Sequence, residues 1–552
     1  MLKQRIAQLL QEAAAEAQKR GLLPPVSLPD VGLEHPQNPE HGDYASSLAL
    51  RLARAAGMSP IKIAENLAGL MSPNPEIESI AVAPPGFINF TLRGEWLARQ
   101  VEPIIGAGDG FGDSDLGKGS RIQVEFVSVN PTGPLHVGHG RGAVLGSTLA
   151  RVLASAGYSV EKEYYINDAG TQIDTFGRSL FVRYREALGA EIEMPADGYF
   201  GAYMSELARE IIAAEGVRYL DLPETEALAA MGKKGTEMMI SAIEGDLKLL
   251  GVEFDVWFRE QSLYDEGKFQ RVMEILKEAG YTGEREGATW FVSTALGESK
   301  DNVLMRSVGT PTYFASDIAY HYNKFLERGF DQVIDIWGAD HQGHVSRMKA
   351  MASALGIDPG RLHIIISQMV TLRRGDEIVK ASKRSGDLVA LREVVDEVGA
   401  DVCRFFFLSR SADSQMDFDL ELAKKQSADN PVYYVQYAYA RIASIMRLAR
   451  ERGITYRDGD VALLNSEPEL ALIRKMLLLP ELIELITDNL EPHHLTYYAS
   501  DLATSFHSFY DKCRVISDDE NLNRARLKLV EAAQIVLAKS LRLMGMNTPE
   551  RM

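Results

Sequence analysis

Ser128-Val-Asn-Pro-Thr-Gly-Pro-Leu-His-Val-Gly-His-Gly140 marks the point where a strand gives way to a helix. Upstream, Ile122, Val124 and Phe126 alternate with Arg121, Gln123 and Glu125 over Arg121 to Val127, the period of two that a β-strand imposes. Downstream, Ala143 to Leu153 is compatible with a helix, so the Gly/Pro-rich bend joins the two. His136 and His139 are three apart and share one helical face. Where a parallel strand turns into a helix, the first helical turn carries unpaired N–H groups and a partial positive charge, which together hold phosphate oxygens. The two histidines are therefore expected beside an anion and not in a core. Taken alone, a His-x-x-His pair also occurs on ordinary helix surfaces.

A second element adds weight. After the apolar run His363 to Ser367 comes Lys380-Ala-Ser-Lys-Arg-Ser-Gly386, a cationic loop with Lys380 and Lys383 three apart. By itself it reads as a solvated basic turn. Together with the histidine motif it supplies positive charge suited to a triphosphate losing pyrophosphate. Strands are expected at Arg121 to Val127, Ser159 to Ile166, Gln332 to Trp337 and His363 to Ser367. Each is followed by polar residues: Val129-Asn130, Asn167-Asp168, Gly338-Ala-Asp340-His341-Gln342 and Gln368. In an open parallel sheet these ends converge on one crevice, so residues far apart in sequence can share a ligand.

The bulk properties set bounds. A chain of 552 residues with 46 % hydrophobic composition can bury several cores, and roughly two to four domains are expected. No apolar run approaches about 18 residues, so no membrane association is expected. Met1 to Arg20 is amphipathic and interrupted by Arg5, Glu12, Glu16 and Lys19, unlike a secretory signal. Cys403 and Cys513 are the only cysteines, which leaves no disulfide framework or cysteine zinc site and fits a reducing cytoplasm. The net charge of −18, from 59 Lys and Arg against 77 Asp and Glu, argues against a nucleic-acid partner for the molecule as a whole. Local basic tracks, such as Lys424 and Lys425 or Arg441, Arg447, Arg450 and Arg452, remain open to one.

The order of elements predicts three parts. Residues 1 to about 110 mix helix-like runs with short strands and end in the Gly/Asp-rich linker Gly106 to Gly119. Residues 111 to 426 alternate strands and helices, with a helix-rich, polar insertion at about 195 to 300 splitting the parallel sheet. Residues 427 to 552 show only helical periodicity, broken at Pro480 and Pro492.

His136-Val-Gly-His139 and Lys380-Ala-Ser-Lys-Arg384 resemble the two signature motifs of class I aminoacyl-tRNA synthetases. The wider text is similar to the arginyl-tRNA synthetase family. The resemblance is carried by Val124-Glu-Phe-Val-Ser-Val-Asn-Pro-Thr-Gly-Pro-Leu-His-Val-Gly-His139, Tyr164-Tyr-Ile-Asn-Asp-Ala-Gly-Thr-Gln172 and Tyr313-Phe-Ala-Ser-Asp-Ile-Ala-Tyr320. Pro431-Val-Tyr-Tyr-Val-Gln-Tyr-Ala-Tyr-Ala-Arg441 and Met546-Asn-Thr-Pro-Glu-Arg-Met552 extend it to the last residue.

The resemblance implies an α/β fold: a Rossmann-type parallel-sheet catalytic domain with helical insertions, an N-terminal α+β domain that contacts tRNA, and a C-terminal all-α anticodon-binding bundle. It implies ATP-dependent activation of L-arginine to arginyl-adenylate and transfer of the arginyl group to the 3′ end of tRNA(Arg), with activation waiting for tRNA. ATP with its Mg²⁺ is the implied cofactor, without zinc, and the implied assembly is a monomer. His136 and His139 would stabilise the pentavalent α-phosphate, with Lys380 and Lys383 closing over pyrophosphate, although Ala381 stands where the family more often has Met. Gly138 would admit the adenine ring, and Gly338, Asp340, His341, Met369 and Val370 would complete the ATP site.

A guanidinium is a planar fork of donors that stays charged, so a selective pocket needs carboxylates in matching geometry and a flat surface. Glu125, Tyr313 and Asp317 supply that set. By resemblance Tyr313 and Asp317 hold the side-chain end of arginine and Asn130, Glu125 and Gln342 its α-amino and carboxylate end; either Glu125 or Asp317 could face the guanidinium. Tyr510 and Met552 correspond to anticodon contacts, and Phe87 and Asn89 to contacts with the tRNA elbow. Two other classes stand beside this one. An enzyme on the same scaffold could adenylate a small carboxylic acid without tRNA, or His136, His139, His341 and His344 could form two His-x-x-His pairs around zinc. The latter leaves Asn130-Pro-Thr-Gly-Pro134 and the lysine loop without a role.

Overall fold

The computed structural model describes residues 2–71, 74–379 and 389–552. Its central feature is a five-stranded sheet built from Arg121–Glu125 (β1), Ser159–Ile166 (β2), Val256–Arg259 (β3), Gln332–Gly338 (β4) and Leu362–Ser367 (β5), in the order β5-β4-β1-β2-β3. Every pairing is parallel. The sheet carries the helix Val137–Ser155 (α1) against β1. Gly146 of α1 is required by that approach, because a Cβ there would lie 2.2 Å from the Phe126 ring.

Four of these strands coincide with the expected ones to within about two residues, the ordinary uncertainty of a strand end. The fifth, β3, falls inside the stretch read as a helix-rich insertion. So does an antiparallel sheet of Thr282–Arg285, Ala288–Phe291 and Asn302–Met305. These strands are four residues long, too short for a period of two to stand out from the helices around them. Those helices, Thr171–Ala187 (α2), Ala202–Glu215 (α3) and Glu224–Leu249 (α4), enclose their own core of Phe176, Leu180, Tyr184, Met204, Ile211 and Met231.

The sheet's parallel register places Asp335 of β4, Glu125 of β1 and Glu163 of β2 side by side. Three adjacent buried carboxylates require cations, since unpaired buried charge is strongly unfavourable. These come from the helix Tyr313–Tyr322 (α5) and the π-helical turn Asn323–Glu327 that continues it. Lys324, fully buried, donates to Glu125 at 2.5 Å and to Asp335 at 2.9 Å. His321 bonds Asp335 at 2.8 Å, while Arg328, Tyr320 and Gln123 bond Glu163. Lys324 and His321 hold the Asp335 carboxyl well below the usual range against the opposing effect of burial. This buried network anchors α5 under the sheet.

By contact the chain forms two units. One comprises Asp109–Ala443, Leu477–Thr504 and Val536–Met552 and contains the sheet. The other comprises Met1–Gly108, Ser444–Met476 and Ser505–Ile535. In the latter, the helix Leu2–Lys19 buries Ile6, Leu10, Ala13, Ala14 and Ala17 at helical spacing. An antiparallel sheet there orders Leu33–Glu34, Tyr44–Ser46, Phe87–Leu92 and Ile77–Ala83. Beyond Asn430 the regular elements are helices alone, with Pro480 at the start of Leu479–Asn489 and Pro492 just before His494–Lys512. No helix among the described residues is long and apolar enough to cross a membrane.

Candidate active site

The histidine turn is built from backbone hydrogen bonds. His136 caps α1: its Nδ1 accepts from Gly138 N–H at 3.1 Å, and its own N–H donates to Nδ1 of His139 at 3.2 Å. The rings stack with centroids 3.4 Å apart. With both Nδ1 atoms accepting, the neutral rings carry their protons on Nε2, which makes each Nε2–H a donor. Burial, together with the neighbouring ring, lowers the His139 pKa to about 3, and burial lowers that of His136 as well. The pair is thus uncharged at neutral pH and suited to donate to phosphate oxygens without repelling each other. A Cβ on Gly138 would lie 3.0 Å from Cε1 of His136, so a side chain there would press on the ring and displace it by a few tenths of an ångström.

The approach to this turn is strained: Val127 and Ser128 have φ of 71° and 42°. The surrounding fold holds it in place. Tyr165 N–H donates to Ser128 Oγ at 3.1 Å, Tyr164 Oη to Val129 O at 2.9 Å and Tyr203 Oη of α3 to Thr132 O at 2.6 Å.

At the carboxyl end of β4, a 3-10 turn Ala339–His344 exposes Asp340, His341 and Gln342, and the space a Cβ would take at Gly338 holds Asp340 Oδ1. Met369 is 69 % exposed, and Val370 opens the strand Val370–Arg374 (β6), which pairs in parallel with Met416–Asp419 (β7). Lys380 and Lys383 lie outside the described residues.

Two of the residues expected to hold arginine, Tyr313 and Asp317, lie on α5. Tyr313 is exposed at the start of α5, and Asp317 follows one turn later. Burial pushes the Asp317 carboxyl up. Glu125, a candidate for the guanidinium, accepts from Lys324, which Asp335 shares, and burial together with the Asp335 charge pushes its carboxyl up. Glu260 is a further buried carboxyl near Asp317: it is 4 % exposed, and burial with the charges of Asp317 and Asp168 pushes its pKa up to about 7. Ser316 and Tyr165 bond it, and Asn167, with its amide oriented to satisfy its neighbours, donates to Oε2 at 2.8 Å. Asn130 donates to Gln172 at 2.6 Å. Neighbouring carboxyls that both resist ionisation are an environment that favours a cation. Glu260 was invisible in the sequence because β3 was; it follows Arg259, the last residue of that strand.

The remaining expected contacts lie elsewhere. Phe87 is half-buried and Asn89, in the middle of the antiparallel sheet, is only 7 % exposed, which leaves it little surface to offer. Tyr510 and Met552 are exposed. Among the described residues one group of three donors is close enough to share a metal ion, Glu491, His493 and His494, and it includes neither His-x-x-His pair.

Models of three protein domains match this chain: the arginyl-tRNA synthetase N-terminal domain over residues 1–92, the class I (R) tRNA synthetase catalytic domain over 104–407 and the DALR anticodon-binding domain over 435–552. An arginine–tRNA ligase of Dehalococcoides mccartyi is 58 % identical over 100 % of this chain and 99 % of its own length. That of Syntrophotalea carbinolica is 49 % identical over the full length of both. The Thermus thermophilus arginyl-tRNA synthetase structure superposes with a TM-score of 0.79 at 23 % identity, covering 99 % of this chain and 100 % of that one, a likeness of fold. Sheet, histidine turn and domain order therefore agree, and the chain belongs to the class I arginyl-tRNA synthetase family.

Proposed function

We propose that the crevice at the carboxyl ends of β1 to β4 binds ATP and L-arginine side by side, and that the residues named above carry out the arginine–tRNA ligase reaction of the family. Two observations support this: the buried Glu260, whose carboxyl is pushed up by burial and by the charge of Asp317, suits a cation, and the neutral, stacked histidine pair that caps α1 suits phosphate oxygens. The guanidinium lies between Glu260 and Asp317 with Tyr313 over it, while Asn130 and Gln342 hold the α-amino and carboxylate end. Glu125 shapes the floor through Lys324. Lysine is rejected because a point-charge ammonium leaves acceptors unpaired, at about 1–3 kcal/mol per buried group.

ATP lies with its phosphates against His136 and His139, its adenine admitted beside Gly138, and its ribose and adenine near Gly338, Asp340, His341, Met369 and Val370. The arginine carboxylate attacks the α-phosphorus, the bond to the β-phosphate oxygen breaks and pyrophosphate leaves, with no protein nucleophile needed. Nε2–H of His136 and His139 donate to the α-phosphate as charge builds there, and Lys380 and Lys383 neutralise the leaving pyrophosphate. Mg²⁺, entering with the nucleotide, would supply further positive charge to the phosphates, beside Lys380 and Lys383. A terminal ribose hydroxyl of tRNA(Arg) then attacks the arginyl carbonyl, and AMP departs. Phe87, Asn89, Tyr510 and Met552 contact the tRNA, with boundaries near 110 and 426 separating its binding domains from the catalytic one.

The protein acts as a monomer in the cytoplasm; two buried free cysteines and no disulfide among the described residues support a reducing compartment. Activation requires tRNA. Pyrophosphate exchange with each of the twenty amino acids, with and without tRNA(Arg), tests this. Exchange with arginine alone, and only when tRNA is present, is expected; tRNA-free exchange with another acid would favour an adenylating enzyme that does not use tRNA.

A further inference from the structure

Arg141, two residues beyond His139, is wholly buried, yet among the described residues no carboxylate pairs with it. Its guanidinium spends its donors on main chain. Nη1 donates to Gln368 O and to Ser414 O, both at 2.8 Å, and Nη2 to Ser411 O at 2.7 Å, while Nε has no partner among the described residues. Burial lowers its pKa to about 10, so it remains a cation at neutral pH. Taking a guanidinium out of water without an anion is costly, and a neutral side chain would have filled this space without that penalty. What the planar fork provides is geometry: three carbonyls from two separate segments are fixed to one helix.

Those two segments are already stitched together. Gln368 N–H donates to Ala412 O at 2.8 Å, Met416 N–H to Met369 O at 3.3 Å, and Val370 is in register with Met416. Arg141 therefore sets where the segment Gln368–Met369–Val370 leaves the sheet relative to the helix turn that bears His136 and His139. β6 continues from Val370, and Val379 N–H closes back on Leu372 O at 2.9 Å immediately before Lys380, so the same guanidinium fixes the root of the lysine segment.

We propose that Arg141 is a positioning residue for ATP: through three backbone carbonyls it fixes the spacing between the histidine turn, which takes the phosphates, and the Gln368–Val370 segment, which takes the adenine. The proposal rests on the ATP site described under the preceding heading. It sets Arg141 apart from the proposed arginine pocket, whose carboxyls lie directly after β3 and on α5.

Arg141→Lys keeps the charge and loses the fork. Pyrophosphate exchange with tRNA present is measured as KM for ATP, KM for arginine and kcat, alongside thermal melting and hydrogen exchange of the free protein. KM for ATP is expected to rise roughly tenfold or more, because misplacement of about 1 Å at a reacting group is worth up to about a hundredfold. KM for arginine should change less than about twofold. The amides of Gln368 and Met416 should exchange faster, and the melting transition should remain cooperative. Unchanged KM for ATP, equal changes in both KM values, or loss of the cooperative transition would each overturn the proposal, the last by making Arg141 a support of the whole domain. A wild-type protein showing no exchange with ATP and arginine would instead remove the ATP-site reading itself.

Discussion

Replacing Glu260 by Gln should nearly abolish arginine recognition while stabilising the empty enzyme. The pocket holds Glu260 with a pKa of about 7 against an ordinary 4.5, mainly because burial disfavours its charge and Asp317 stands beside it. A guanidinium needs the ionised form. Below pH 7 arginine must expel a proton to bind, so KM for arginine should rise by about tenfold per pH unit there and level off above it. Gln keeps the shape but not the charge and gives up charge-assisted hydrogen bonds worth about 1.5–3 kcal/mol, a rise in KM of roughly 10- to 150-fold, and its arginine KM should lose the pH dependence. The stability effect has the opposite sign. A carboxyl whose folded pKa lies above its unfolded one contributes stability below about 4.5 that disappears as pH rises through 7, so at pH 8 it is a liability of up to about 3 kcal/mol. Urea denaturation at pH 8 should show E260Q to be the more stable protein. Aminoacylation kinetics between about pH 5.5 and 8 decide the matter. A wild-type arginine KM that stays flat over that range, or an E260Q value within about threefold of wild type, would refute the reasoning.

Other outcomes follow from the same geometry. His139→Ala should lower kcat by about 10²–10³-fold with arginine KM little changed, whereas Asp317→Ala should act chiefly on arginine KM; equal losses in both parameters for both variants would contradict the division of labour. Lys324→Met leaves the buried Glu125 without its ammonium partner and Asp335 with only His321, and should cost about 3–5 kcal/mol in urea denaturation at pH 8, less at acidic pH where the carboxyls take up protons; a loss below about 1 kcal/mol would show that the network does not anchor α5. Gly545 has φ of 72°, and a Cβ there would lie 2.6 Å from the Arg404 guanidinium, so Gly545→Ala should lower stability by about 1–3 kcal/mol, read as a lower Tm.

The sequence made the catalytic core legible because its signals are local. The period of two over Arg121 to Val127, the Gly/Pro bend and the His-x-x-His spacing each lie within a few residues and are set by backbone geometry. The fifth strand was not legible: four residues of Val-Trp-Phe-Arg carry no period, and with it went Glu260, whose raised carboxyl depends on burial and on the charge of Asp317. Glu125 shows the complementary difficulty. Its place on β1 was evident, yet that it accepts from Lys324, 199 residues away, follows only from register and from the π-helical turn. Nothing local in the sequence singles out Arg141, whose partners at Gln368, Ser411 and Ser414 lie more than 200 residues away. Long-range pairing of buried charge is a property of the assembled fold, and no local pattern announces it.

The most direct test is a crystal structure with a non-hydrolysable arginyl-adenylate analogue. The account requires the guanidinium between Glu260 and Asp317 and the phosphate mimic within hydrogen-bond distance of Nε2 on His136 or His139. An analogue whose guanidinium lies away from Glu260, or whose phosphate mimic is out of reach of both rings, would contradict it.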